Sequence, residues 1–231
     1  MFSIAYSICM FKKNLCMHLG CKKLALSQID DDGNITDEPG YCIEHLENPS
    51  ESVNKIRNYL LTHDKIINLN IESLSISGVD LSNKFFCGCS IQNCTFANMH
   101  ASNLRLRMSV FNFCTFTDST FLQSNFQFCS FAGAKFINTL FTGSDLLNNN
   151  FNGTTAYQCS FDDSDLYNSQ FIKAILMNTS MKNCNLKKTI FYDSLREAVS
   201  FKLSNTREAL FDRIKNSKVF LHDESEDEAE A

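Results

Sequence analysis

FNFCTFTDSTFLQSNFQFCSFAGAKF, residues 111 to 136, places Phe111, Phe116, Phe121, Phe126, Phe131 and Phe136 five residues apart. The same step holds outward in both directions. Backward it passes Leu106, Ala101, Phe96, Ile91, Phe86, Leu81 and Ile76 to Ile71. Forward it passes Phe141, Leu146, Phe151, Ala156, Phe161, Leu166, Phe171, Leu176, Met181 and Leu186 to Phe191. Every one of these positions is apolar. At 44% hydrophobic content such a run arises by chance with a probability on the order of one in a billion, so the period is real. A period of five matches neither the 3.6 of a helix nor the 2 of a plain strand. It requires a chain that turns inward once in every five residues.

The neighbouring positions carry the same beat. Two residues before the large ones stand small residues: Cys89, Cys94, Ser109, Cys114, Ser119, Ser124, Cys129, Ala134, Thr139, Ser144, Thr154, Cys159, Ser164, Ser169, Ala174, Thr179 and Cys184, with Met99 and Leu104 as oversized exceptions. A second inward site beside a Phe has room only for such residues. Two residues after the large one, Asn and Gly recur, as at Asn83, Asn93, Gly133, Asn148 and Gly153, and these tolerate left-handed turns. The triplets CTF, STF, SNF, CSF, AKF and SDL resemble those of the pentapeptide-repeat proteins, whose pattern is small, polar, Leu or Phe, polar, any. The resemblance implies an all-β solenoid, a right-handed quadrilateral β-helix with four repeats per coil. On that basis residues 69–193 make about six coils, and residues 20 apart stack. At roughly 4.8 Å per coil the rod is about 30 Å long. Phe111, Phe131, Phe151, Phe171 and Phe191 then form one aromatic column, and Asp162 lies under Lys182 as a rung pair.

A solenoid leaves unpaired strands at its two ends, which need covering. Asn48-Pro49-Ser50-Glu51 combines an N-cap, Pro at the first helical position and a capping-box Glu, followed by Val53, Ile56 and Leu60 at helical spacing. A capping helix is expected from about Pro49 to His63, within a 48–68 linker. Ser194-x-x-Glu197 and Asn205-x-x-Glu208 read as further capping boxes, the second leading into Leu210, Phe211 and Ile214. Two C-terminal capping helices over 194–222, able to pair in a homodimer, are therefore expected. Residues 223–231 read as an acidic disordered tail.

The N-terminal segment, residues 1–47, has a different character. Cys16-x4-Cys21 is followed by Cys42-x2-His45. Two close pairs can close a tetrahedral Cys₃His zinc site, with His18 as a rival fourth ligand. LGC and GYCIEH resemble the small zinc knuckles that end in Gly-aromatic-Cys-x2-His. The resemblance implies structural zinc on Cys16, Cys21, Cys42 and His45 within residues 16–45, and metal would account for how so short a segment folds. Four protein ligands leave no open position for chemistry. Cys89, Cys94, Cys114, Cys129, Cys159 and Cys184 instead share the small inward site and read as core residues of a reducing compartment.

Charge narrows the function. Of the formal net charge of −5, the tail from Asp223 supplies six negative charges, so the rest is close to neutral. A nucleic-acid binder needs clustered Lys and Arg; near the knuckle there are mainly Lys12, Lys13, Lys22 and Lys23. No apolar run reaches 18 residues, so no membrane span is expected. Met1 to Phe11 is apolar, but the Lys12-Lys13 pair follows it rather than preceding it, unlike a secretory signal; cytoplasmic localisation is the default. Among the five His, His100 has no catalytic companions, and Asp162, Asp163 and Asp165 read as a solvated face. A non-enzymatic protein-interaction or scaffolding module is expected. Phe113, Phe128, Tyr157, Tyr167 and Tyr192 are its candidate anchors, and its protein partner is unspecified. The alternative comes from the resemblance: some pentapeptide-repeat proteins mimic DNA and protect type II topoisomerases. Against it, the rod from Ile71 to Phe191 has eight Lys/Arg and seven Asp/Glu, a poor charge mimic of DNA.

Overall fold

The computed structural model describes residues 14–212. The solenoid dominates it. Strands Ser75–Ser77, Thr95–Ala97, Thr115–Thr117, Lys135–Ile137, Thr155–Tyr157, Ile175–Met177 and Leu195–Glu197 form one parallel sheet. Lys65–Ile67, Phe85–Cys87, Arg105–Arg107, Asn125–Gln127 and Asp145–Leu147 form a second. Every pairing has a register of 20, as in Phe116 with Phe96 and Phe136. The third face is a ladder of single bridges, Asp80–His100–Thr120–Leu140, and the fourth begins with the parallel strand pair Asn70–Glu72 and Ser90–Gln92 and continues as single bridges, Ser90–Val110–Ser130–Asn150. Four faces of five residues make each coil.

The three phases have three structural meanings. The fifth-position residues from Ile66 to Phe191 lie in the core, and the small residues two before them lie beside them. Stacking at 20 residues turns the phenylalanines into columns. Ring centroids are 5.4 Å apart for Phe111–Phe131, 5.2 Å for Phe131–Phe151, 4.9 Å for Phe151–Phe171 and 5.2 Å for Phe171–Phe191. Such offset pairs add to area burial. Met99 and Leu104 do point inward; Ala101, on the large-residue phase directly after Met99, leaves the volume that Met99 takes. The buried hydroxyls are satisfied by coil carbonyls: Ser144 Oγ donates to Phe121 O at 2.7 Å and Ser164 Oγ to Phe141 O at 2.9 Å.

The third phase forms the corners. Every fifth residue from Asn68 to Leu203 has a positive φ, whatever its side chain. Asn and Gly fill many corners, but Met108, Phe113 and Phe128 also stand there, at φ 43°, 57° and 55°. The corner amides reward Asn: Asn168 Nδ2 donates to Asn148 Oδ1 at 2.8 Å and Asn183 Nδ2 to Asp163 Oδ1 at 2.8 Å.

At the N-terminal end a single helix, α1 (Pro49–Thr62), lays Ile56, Tyr59 and Leu60 into the solenoid core. Asn48 Oδ1 accepts the Glu51 N–H, as the capping signature requires. Lys84, on the small-residue phase, reaches up to donate to the carbonyls of Leu61 and His63 at 3.0 and 2.9 Å, tying the helix end to the coils.

The C-terminal end departs from expectation. Residues 194–212 form no α-helix; they complete a further coil, giving about seven rather than six. Long-range ladders outcompete the local capping signals. Leu195–Glu197 pairs with Ile175–Met177, and Ser194 Oγ donates to Phe191 O at 2.8 Å instead of capping a helix. Asn205 Oδ1 accepts the Leu186 N–H, and Thr206–Glu208 is only a 3₁₀ turn. Phe211 continues the aromatic column, 5.0 Å from Phe191. Arg196 interrupts the apolar phase, but its guanidinium lies over the Phe211 ring at 4.9 Å and bonds Phe191 O, so the last coil closes on a cation rather than a helix. The expected dimer through C-terminal helices thus has no helix among the described residues; Ile214, the acidic tail and Met1–Phe11 lie outside them. The Asp162–Lys182 rung is also different: Asp162 Oδ1 accepts from Ser180 Oγ at 2.6 Å and from the Lys182 backbone N–H at 2.8 Å. Among the described residues, no helix is long and apolar enough to cross a membrane.

Candidate metal centre

Two short turns bring the four expected ligands together. Leu15 bridges Leu24 antiparallel, and the Cys16 N–H donates to Lys23 O at 2.9 Å. The loop between them turns at Gly20, φ 81°, with the Cys21 N–H on His18 O. Cys16 and Cys21 therefore sit on one tight hairpin. Cys42 is the N-cap of the 3₁₀ turn Ile43–His45, and the His45 N–H returns to Cys42 O at 2.9 Å. That turn brings the His45 ring back over the Cys42 thiol.

The ligand atoms of Cys16, Cys21, Cys42 and His45 all lie within 4.8 Å of one another. His45 Nδ1 is 3.2 Å from Cys42 Sγ and 3.5 Å from Cys16 Sγ, and Cys21 Sγ is 3.9 Å from Cys42 Sγ. A tetrahedron with Zn–S bonds of about 2.3 Å and Zn–N bonds of about 2.0 Å has edges of roughly 3.5–3.8 Å. Three of the six separations lie within about 0.3 Å of such edges and all lie within 4.8 Å, so the donor set fits a four-coordinate thiolate–imidazole metal after a small contraction. His18 is outside this group; its ring stacks flat on His45, centroids 3.8 Å apart at 3°, and so supports the ligand ring.

The electrostatics favour a thiolate at Cys16. Burial opposes ionisation of Cys16, but hydrogen bonds from the Cys42 and His18 backbones and from the His45 and Cys42 side chains outweigh it, and its thiol is held down at about 6. Cys42, its coupled neighbour, is pushed up by burial and by the adjoining thiols. Lys23 pairs with Glu44 beside the cluster. That hydrogen bond, then the charge of Glu44 and after it those of Cys42 and Cys21, raise the lysine above its usual value.

The other candidates divide sharply. Cys89, Cys94, Cys114, Cys129, Cys159 and Cys184 are core residues, and burial pushes Cys129 up to about 12. His100 is an exposed bridge residue on a coil face. Asp162, Asp163 and Asp165 are tied into coil ladders, with Asp163 and Asp165 accepting the amides of Asn183 and Asn185. Tyr167 lies under Lys188, whose ammonium donates to its hydroxyl at 2.9 Å. Phe113 and Phe128 are different. They are 61% and 62% exposed and sit on left-handed corners. Corners recur every five residues and stack every 20, so Met108 and Phe128 mark one edge of a coil face, and Phe113 and Gly133 mark the other. A Cβ on Gly133 would lie 2.6 Å from the Phe113 ring, which therefore rests across that glycine. Sequence reading marked both phenylalanines as off-pattern but missed their backbone; their spacing two after Phe111 and Phe126 was the available signal.

Comparison with known proteins agrees with the repeat architecture. The pentapeptide-repeats family matches with eight copies over residues 124–166 and 157–193. No curated protein matches the chain. Among solved structures, the chain is similar to trypsin-treated QnrB1, a plasmid-mediated fluoroquinolone resistance protein, at 17% identity over 62% of this chain and 82% of that one, TM-score 0.47. It is also similar to HetL, a pentapeptide repeat protein involved in heterocyst differentiation regulation in Nostoc sp. strain PCC 7120, at 9% identity over 70% and 96% of the chains, TM-score 0.28. A pentapeptide repeat protein of the Arabidopsis thaliana thylakoid lumen matches at 23% identity over 39% and 57%, TM-score 0.22. With their five-residue phase and 20-residue register, residues 124–193 match the pentapeptide-repeats family and lie within a β-solenoid that continues the same phase on both sides.

Proposed function

We propose that the chain is a non-enzymatic protein-binding module: a solenoid platform with a small knuckle at one end, closed by a structural zinc ion on Cys16, Cys21, Cys42 and His45. The observation that carries the binding reading is the placement of Phe113 and Phe128. A left-handed backbone costs an ordinary L-residue roughly 1–2 kcal/mol, and exposure returns little of the burial a Phe provides. Two residues that do so little for the fold, bounding one face whose floor includes Val110 and Ala132, are suited to anchor a partner. The zinc reading rests on the closed four-ligand set, which offers a structural site and no reactive one.

The test is affinity capture from host lysate, comparing the intact chain with a Phe113→Asn/Phe128→Asn variant. A protein retained by the first and lost by the second supports the reading. Equal retention by both, or enrichment of topoisomerase subunits regardless of the substitutions, overturns it. The topoisomerase alternative gains no support from the corner ladders. Asp118 and Asp163 each bond an Asn amide one coil on, which interrupts the line of charge a DNA mimic needs.

A further inference from the structure

Among the described residues the first coil has no coil before it, so its outward backbone groups need other partners. The ladder shows which groups these are. In later coils Val110 donates its N–H to Cys89 O, one coil back, and its carbonyl takes the N–H of Ile91. Asn70 occupies the same position in the first coil, two coils earlier, and has no preceding strand to serve either group.

Ser27 serves both. Its N–H donates to Asn70 O at 2.8 Å, and its Oγ accepts the Asn70 N–H at 2.8 Å. The Asn70 side chain also donates to Ala25 O at 2.5 Å, and Leu26 joins the solenoid core between them. Residues 25–27 thus stand in for the missing coil. They are held there by the knuckle: the Ala25 N–H bonds Asn14 O, and the Leu26 N–H bonds Tyr41 O. Tyr41 adjoins the ligand Cys42, and Ala25 follows the ligand Cys21 by four residues. The metal cluster therefore brackets the covering strand from both sides.

We infer that metal at this cluster controls the cover on the solenoid's first strand: loaded, the knuckle covers the backbone of Asn70, and stripped, it releases that N–H and C=O to an open strand edge. The inference rests on the zinc reading above and adds a consequence that reading does not require. A segment with so little core of its own folds through its metal, whereas α1 and the later coils are anchored by the apolar core.

The test is hydrogen exchange resolved at Ser27 and Asn70 on the full chain, with zinc content measured in parallel, before and after chelation. Stoichiometric zinc, with exchange at both amides at least tenfold faster after chelation and the Phe131 and Phe151 amides unchanged, supports the inference. Stoichiometric zinc with unchanged protection at Ser27 and Asn70 overturns the inference and leaves the zinc reading standing. A chain with no zinc overturns both. Ser27→Ala separates cover from metal: full zinc with faster exchange at Asn70 is expected, and full zinc with Asn70 still protected counts against the cover.

Discussion

Replacing Phe128 by Asn removes a large aromatic side chain and is expected to leave the fold about as stable as before. The magnitude follows from two opposed contributions. The corner at φ 55° disfavours an ordinary side chain by roughly 1–2 kcal/mol, whereas Asn tolerates it. Against that, a ring 62% exposed has little more than a third of its surface out of water, worth on the order of 1 kcal/mol of the 2–3 available to a fully buried Phe. The net change should fall within about 1 kcal/mol of zero, on the stabilising side if the new amide bonds the Asn148–Asn168 ladder. Urea unfolding followed by circular dichroism measures it, provided the slope is unchanged. A loss above about 2 kcal/mol would show that the ring holds the fold together, and the case for a partner anchor would fall with it.

Other substitutions have calculable consequences. Phe131→Ala empties a fully buried site stacked between Phe111 and Phe151 and should cost about 3–5 kcal/mol in the same assay; a cost under 1 kcal/mol would mean the columns are loosely packed. Gly133→Ala places a side chain at φ 66° and against the Phe113 ring, with an expected loss of about 1–2 kcal/mol that shrinks in a Phe113→Asn background; an unchanged loss would remove Phe113 from that glycine. Burial also sets a pH limit. Cys129 is pushed up to about 12, and Cys159 and Cys184 to about 11, while unfolded thiols ionise near about 8.5. These folded-state values are raised, so their stabilisation is complete below the unfolded value and is lost as pH climbs. Between about pH 9 and 11 each thiol should remove up to ~1.4 kcal/mol per pH unit. Urea midpoints at pH 7.5 and 10 test this, and a Cys129→Ala/Cys159→Ala/Cys184→Ala variant with an undiminished fall would refute the assignment.

The core was legible because one physical requirement, an inward residue at each face, repeats without a break from Ile71 to Phe191. The ends were less so. Asn48 and Pro49 act within one turn, so their signal survived intact. Ser194 and Asn205 carry equally good local signals, yet partners 20 residues away claimed them, and Arg196 hid the last coil by placing a cation where an apolar residue belonged. The juxtaposition of Cys16, Cys21, Cys42 and His45 could be read from spacing because each pair closes within one turn. Ser27 and Asn70 could not: 43 residues separate them, and neither residue type announces a covering strand.

Site-specific photo-crosslinking addresses the central claim most directly. A benzophenone side chain placed in turn at Phe113, Phe128 and the exposed corner Asn183 is irradiated in host cells. The binding account predicts one discrete adduct with the same protein from positions 113 and 128, and none from 183. Adducts from all three positions alike, or from 183 alone, would contradict it.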